Sequence, residues 1–180
     1  MPPFFTVFVY YYQMSRMPIL FNKTTTKIIE HFTFGNLPRD ELIEMYKDGR
    51  VFSFPSERLV SHDYGLQRIP GCEDHDFVDP TNSEIKYDAK TFTKSGCGFM
   101  PSSMKGTGRT FDKTLFEEKS KGLNFIIISN VHFPVIKIRF VEGLQLLERY
   151  PKGQIPFKDH DAFFQDTPDK IEPADTLALQ

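Results

Sequence analysis

The chain has 180 residues, 22 Lys plus Arg against 24 Asp plus Glu, a formal charge of −2, and 19 Phe but no Trp. That length suits one domain with a sizeable core, and the composition excludes wholesale disorder, a collagen-like chain and a disulfide scaffold. Two cysteines, Cys72 and Cys97, read as reduced thiols of an intracellular protein, cytoplasmic or nuclear.

In chain order, Phe4–Tyr12 (FFTVFVYYY) is aromatic but short, and reads as a buried or edge strand. No run reaches the ~18 consecutive apolar residues of a membrane span, so no membrane partner is expected. Met14 and Met17 are alternative starts, which makes residues 1–16 a possible N-terminal extension. Lys27–Phe34 fits a short strand or a short helix. Leu37–Tyr46 reads as a helix, with Pro38 in its first turn, acids near its start, and Lys47 and Gly49 ending it. Ser56 opens a second short helix to about Asp63, with Glu57 in its first turn.

His75–Val78 is a short extended run, and Asp79-Pro80-Thr81-Asn82-Ser83 carries turn chemistry. Glu84–Thr93 then alternates. Ile85, Tyr87 and Ala89 fall on one face, and Glu84, Lys86, Asp88 and Lys90 on the other, so the whole reads as a hairpin. Lys94–Arg109 is a Gly/Ser/Lys-rich loop, and Phe111–Gly122 a helix. Leu123–Ser129 has the continuous apolar run of a buried central strand, Val135–Val141 alternates as another strand, and Glu142–Tyr150 is a helix stopped by Pro151. Beyond Phe157 the chain carries six acids against two Lys. Residues 1–157 are therefore expected to form one domain and 158–180 an acidic, polar, peripheral tail. The order of elements predicts an α/β protein with a mixed central sheet flanked by helices.

Four charged side chains on one strand face make an ordinary solvated edge. Here, however, Glu73, Asp74, Asp76 and Asp79 precede the turn, and the hairpin folds these acids toward Asp88. Like charges set opposite one another destabilise a ribbon, and a bound divalent cation offsets that repulsion. Mg²⁺ fits, because it takes one or two carboxylates and keeps waters and phosphate oxygens as its other ligands. Register decides which acid joins. A loop with an odd number of residues, such as Thr81-Asn82-Ser83, puts Asp76 on the face of Asp88, whereas an even loop puts Glu73 or His75 opposite it.

Asp76-Phe77, followed by Tyr87-Asp88-Ala89-Lys90-Thr91, resembles the PD-(D/E)xK nuclease motif, with His75 where that motif has proline. The resemblance covers about Glu73 to Thr93. It implies a restriction-endonuclease-like α/β/α core and hydrolysis of DNA phosphodiester bonds, most like the type II restriction endonucleases. Asp76 and Asp88, with the Ala89 carbonyl, would then bind Mg²⁺ (Mn²⁺ as substitute), and Lys90 would orient or activate the attacking water. Such enzymes often recruit an acid from a preceding helix, for which Glu57 comes first, with Glu41 and Glu44 behind it. Glu84-Ile85-Lys86 is a competing Glu-x-Lys frame, and Glu73 and Asp74 are further candidate acids.

The stretch 84–122 carries eight Lys/Arg against five acids. Lys94, Lys105 and Arg109 among glycines and hydroxyl residues suit phosphate oxygens, and Phe99 and Met100 are candidates for insertion at a base step. Double-stranded DNA is the expected partner, with a homodimer as a family-level expectation. Two other readings stay open: a repair or recombination nuclease of the same fold, and a non-catalytic nucleic-acid or protein-binding module. The five histidines show no metal-ligand spacing.

Overall fold

The computed structural model describes residues 19, 21–71 and 74–165; the Phe4–Tyr12 strand, both alternative starts, Cys72 and Glu73 lie outside the described residues. The chain runs β1 (Thr24–Ile28), α1 (Arg39–Lys47), α2 (Gly49–Tyr64), β2 (Gln67–Arg68), β3 (Phe77–Asp79), β4 (Asn82–Phe92) and β5 (Cys97–Gly98). It continues with α3 (Lys113–Lys121), β6 (Leu123–His132), β7 (Val135–Glu142), α4 (Gly143–Arg149), β8 (Gln154–Ile155) and α5 (His160–Phe163). Six strands form one mixed sheet in the order β1-β7-β6-β4-β3-β2, and β5 with β8 makes a small separate ribbon. β4 and β6 pair in parallel and the other neighbours are antiparallel.

Strand alternation sorts the core into two layers. Tyr87 of β4, Ile126 and Ile128 of β6, and Ile136, Ile138 and Phe140 of β7 pack with Phe52, Val60 and Tyr64 of α2. On the other face Phe92, Phe125, Ile127 and Val141 pack with Phe116 of α3, Leu146 and Leu147 of α4, and Phe163 of α5. Helices therefore cover both faces. The almost continuous burial of β6 follows from that, since neither side of a central strand meets water.

Three local expectations change. Ser56 does not start a helix: its hydroxyl donates back to the Ser53 carbonyl (2.8 Å) inside a helix that begins at Gly49. Asp48 caps that helix by accepting from the Arg50 N–H, and Gly49 leaves room for β4, because a Cβ there would stand 2.7 Å from Thr93 Cγ2. The sequence reading missed the cap because Gly49 is also the ordinary signature of a helix end.

The loop 94–109 is only partly a loop, since Cys97, Phe99 and Met104 are buried in the second core layer. Phe99 is therefore a core residue rather than a wedge for a base step; Met100 packs against the same cluster, only partly buried.

The tail also starts later than expected. His160, Phe163 and Phe164 are buried against Phe92, so the domain runs past Phe157 to at least residue 164. Charge count had hidden two aromatics spaced to close the sheet's second face. Residues 166–180 lie outside the described residues.

Candidate active site

β3 and β4 are joined by a two-residue turn, Pro80-Thr81, with Asp79 opposite Asn82. An even turn of this kind was expected to move Asp76 out of phase. A β-bulge between Val78 and Asp79 cancels the shift, so that Val78 pairs with Lys86 and Phe77 with Tyr87. The next position brings Asp76 to Asp88. Asp79 is spent on the turn, where its Oδ1 accepts from the Thr81 N–H (2.8 Å) and hydroxyl (2.6 Å).

Asp76 sits where β3 begins to leave β4. Its N–H donates to the Tyr87 carbonyl (2.9 Å), and its Oδ2 accepts from the Ala89 N–H (2.8 Å), a donor that a longer β3 would have paired. In an extended strand the N–H and C=O of one residue point to the same edge, so the Ala89 carbonyl also emerges on the Asp76 side. The Asp76 and Asp88 carboxyls lie within hydrogen-bonding reach of each other. Lys90 Nζ bridges both Asp88 oxygens, at 2.8 and 2.7 Å.

Burial is the main cause that lifts Asp88 to about 7; Asp76 adds to it and Lys90 opposes it. Glu57 of α2 does not line the cleft but stands close enough to Asp76 to feel its charge. Burial raises its pKa first and the charge of Asp76 second, while Arg68, 3.5 Å away, pulls it down. Glu41 is exposed on α1, and Glu44 pairs with Lys47 (2.6 Å) in the open, so neither runner-up reaches the site. Cys97 is buried beneath the site and its thiol is pushed up to about 12, chiefly by desolvation, so it is no nucleophile.

These groups open onto a cleft of about 650 Å³ lined by Asp76, Asp88 and Lys90 together with Gly98, Lys105 and Lys119. Asp74, His75 and Lys86 stand on its wall. Glu84 is exposed in the bulged part of β4 and does not line the cleft, whereas Lys86 of the same Glu-x-Lys frame does. Of the three expected DNA contacts, Lys105 lines the cleft. Arg109 is exposed and donates to the carbonyl of the lining residue Ser102. Lys94 is close enough to Glu44 to lower its pKa and does not line the cleft.

Sequence reasoning missed Lys119, which reaches across the mouth to Asp74 (3.3 Å). Its only signal was a place on a helix that follows the motif strand. Among the described residues no three His, Cys, Asp or Glu side chains converge as a metal cage. The arrangement present is a carboxylate pair, a backbone carbonyl and a lysine. Such a donor set suits an ion that keeps most of its waters, as Mg²⁺ does. Comparison of the chain with protein-family models, curated proteins and solved structures returns no match.

Proposed function

We propose that the protein is a Mg²⁺-dependent DNA endonuclease of the restriction-endonuclease-like kind, acting as a type II restriction enzyme. One observation carries the reading: Asp76 and Asp88, brought within reach by a bulged hairpin, share a cleft with Lys90 on the next same-face position of β4. Helices on both faces of a mixed sheet agree with the α/β/α core that the motif implies.

Asp76, Asp88 and the Ala89 carbonyl would hold the ion, and the unfavourable crowding of the two carboxyls is the fit between donors and cation. Mg²⁺ or Mn²⁺ there supplies positive charge to the scissile phosphate and a more acidic water. Lys90 would orient the attacking water and offset charge that builds on the phosphate oxygens. Glu57, which feels the charge of Asp76, would add a third carboxyl near the ion. Its partner Arg68 keeps that acid oriented.

The test is plasmid cleavage in Mg²⁺. Wild-type protein is expected to cut, EDTA to stop it, and Lys90→Ala or Asp88→Asn to slow it by at least about 100-fold, the usual scale for losing one such group. Discrete bands mark a sequence-specific enzyme, whereas a smear or cleavage confined to branched substrates points to a repair or recombination nuclease. Cleavage that survives both EDTA and Lys90→Ala removes the assignment.

A further inference from the structure

Lys105, like Lys86 and Lys119, lines the cleft without a part in the reaction described above. It follows a short 3-10 turn, Ser102–Met104, whose Met104 is anchored in the core. Its ammonium lies over Gly98, and a Cβ on that residue would stand 2.7 Å from Lys105 Nζ. Gly98 has no positive φ that would demand glycine, so the missing side chain serves clearance rather than backbone shape. Lys105 and Lys90 both line the cleft, and the charges of both act on the Cys97 thiol beneath it.

The two lysines differ in pairing. Lys90 is bound to Asp88, and Lys119 across the mouth to Asp74. Neither the Lys105 nor the Lys86 ammonium makes a hydrogen bond or ion pair among the described residues, although both line a cleft that also holds Asp76 and Asp88; of the two, Lys105 is the one seated over a glycine. A lysine placed beside an acidic centre and left without a carboxylate partner is available for an anion brought by the substrate.

We propose that Lys105, seated over Gly98, is a phosphate-binding subsite that grips the backbone phosphate adjoining the scissile one, so that the site takes a polynucleotide rather than an isolated phosphate ester. The inference rests on the nuclease reading and names the class of substrate for that site. Lys105 is a positioning residue: it touches a neighbouring phosphate and leaves bond cleavage to the Asp76, Asp88 and Lys90 group.

Binding of a fluorescent DNA duplex in EDTA, followed by anisotropy at several salt concentrations, tests it without requiring turnover. Lys105→Ala is expected to weaken binding roughly tenfold and to reduce the salt slope by about one, the signature of one lost phosphate contact. Lys105→Arg is expected to keep the affinity. Gly98→Ala is expected to weaken binding in the same direction by displacing a flexible ammonium, with an unchanged melting temperature. Lys47→Ala, at a residue paired with Glu44 on α1 and not lining the cleft, serves as the control and is expected to bind like wild type.

In Mg²⁺, Lys105→Ala is expected to raise the KM for an oligonucleotide and leave hydrolysis of bis(p-nitrophenyl) phosphate unchanged, whereas Lys90→Ala lowers the turnover of both substrates. Equal binding by wild type and Lys105→Ala, or equal losses in Lys105→Ala and Lys47→Ala, overturns the subsite even if wild-type protein cleaves DNA. Failure of the nuclease reading itself appears separately, as cleavage that Lys90→Ala does not affect.

Discussion

Burial, reinforced by the neighbouring Asp76 carboxyl, holds Asp88 at about 7 against the pull of Lys90. In the unfolded chain the same carboxyl titrates near ~3.9. Below that range both states are protonated and the group costs nothing. Between the ordinary carboxylate range and about 7 only the unfolded chain gives up its proton, so stability falls as pH rises and levels off above. Metal-free wild-type protein is expected to melt lower across this window, and Asp88→Asn to remove most of the slope in a pH series of thermal melts. Mg²⁺ needs the ionised form, so cleavage is expected to rise with pH through the same region. An Asp88→Asn variant with the wild-type slope contradicts this account.

His160 shows the opposite relation between chemistry and access. Its Nε2 meets Ser129 Oγ at 2.8 Å and its Nδ1 meets Asp161 Oδ1 at 2.8 Å, the connectivity of a nucleophilic triad. Ser129 and His160 are buried, and neither lines the described cleft, so the chain of bonds fastens α5 to β6 and no substrate meets the serine.

Among elements, the bulged β3–β4 ribbon does the most to create the site. Its two-residue turn alone would put Asp76 out of phase with Asp88, and the bulge restores the phase. Alternation along Glu84–Thr93 was legible because side chains on a strand must alternate. The bulge was not, because the three residues it leaves unpaired, Ser83 to Ile85, carry no mark in composition. α4 is set by a different constraint. A Cβ on Gly143 would stand 2.4 Å from the Ser120 carbonyl oxygen and 2.5 Å from that of Leu123, so glycine lets α4 begin against the end of α3 and the start of β6. Both neighbours are backbone and cannot yield easily. Gly143→Ala is expected to destabilise the protein by about 1–3 kcal/mol, read from urea unfolding, despite the better helix propensity of alanine. An unchanged or raised midpoint argues against that packing.

At the scale of the whole molecule, the second core layer is closed by a segment far from the motif in sequence. Phe92, which ends the strand bearing Asp88 and Lys90, packs on His160, Phe163 and Phe164. Arg139 of β7 donates to the carbonyls of Phe163, Gln165 and Asn22, and so ties that segment to the opposite edge of the sheet. A chain ending at Pro156 loses this cover and takes from Phe92 and Arg139 the partners that the segment supplies. It is expected to lose cooperative unfolding, whereas a chain ending at residue 165 keeps it; circular dichroism during a thermal ramp separates the two. Cooperative melting of the shorter chain would return the segment to the periphery. No helix among the described residues is long and apolar enough to cross a membrane.

Periodicity alone placed the buried central strand at Leu123–Ser129, the alternating strand at Val135–Val141 and the phase of Asp88 with Lys90, because these are consequences of backbone geometry within one segment. The motif resemblance, rather than periodicity, singled out Glu57 as the helix acid to watch, and the helix that carries it starts earlier than expected, at Gly49. Three matters were decided by tertiary structure: which acid stands beside Asp88, which lysines enter the cleft, and that the acidic tail begins inside the core. Each depends on distances between segments remote in sequence. A bulge, a glycine that clears a path for an ammonium, and two phenylalanines that complete a layer act only once their neighbours are in place.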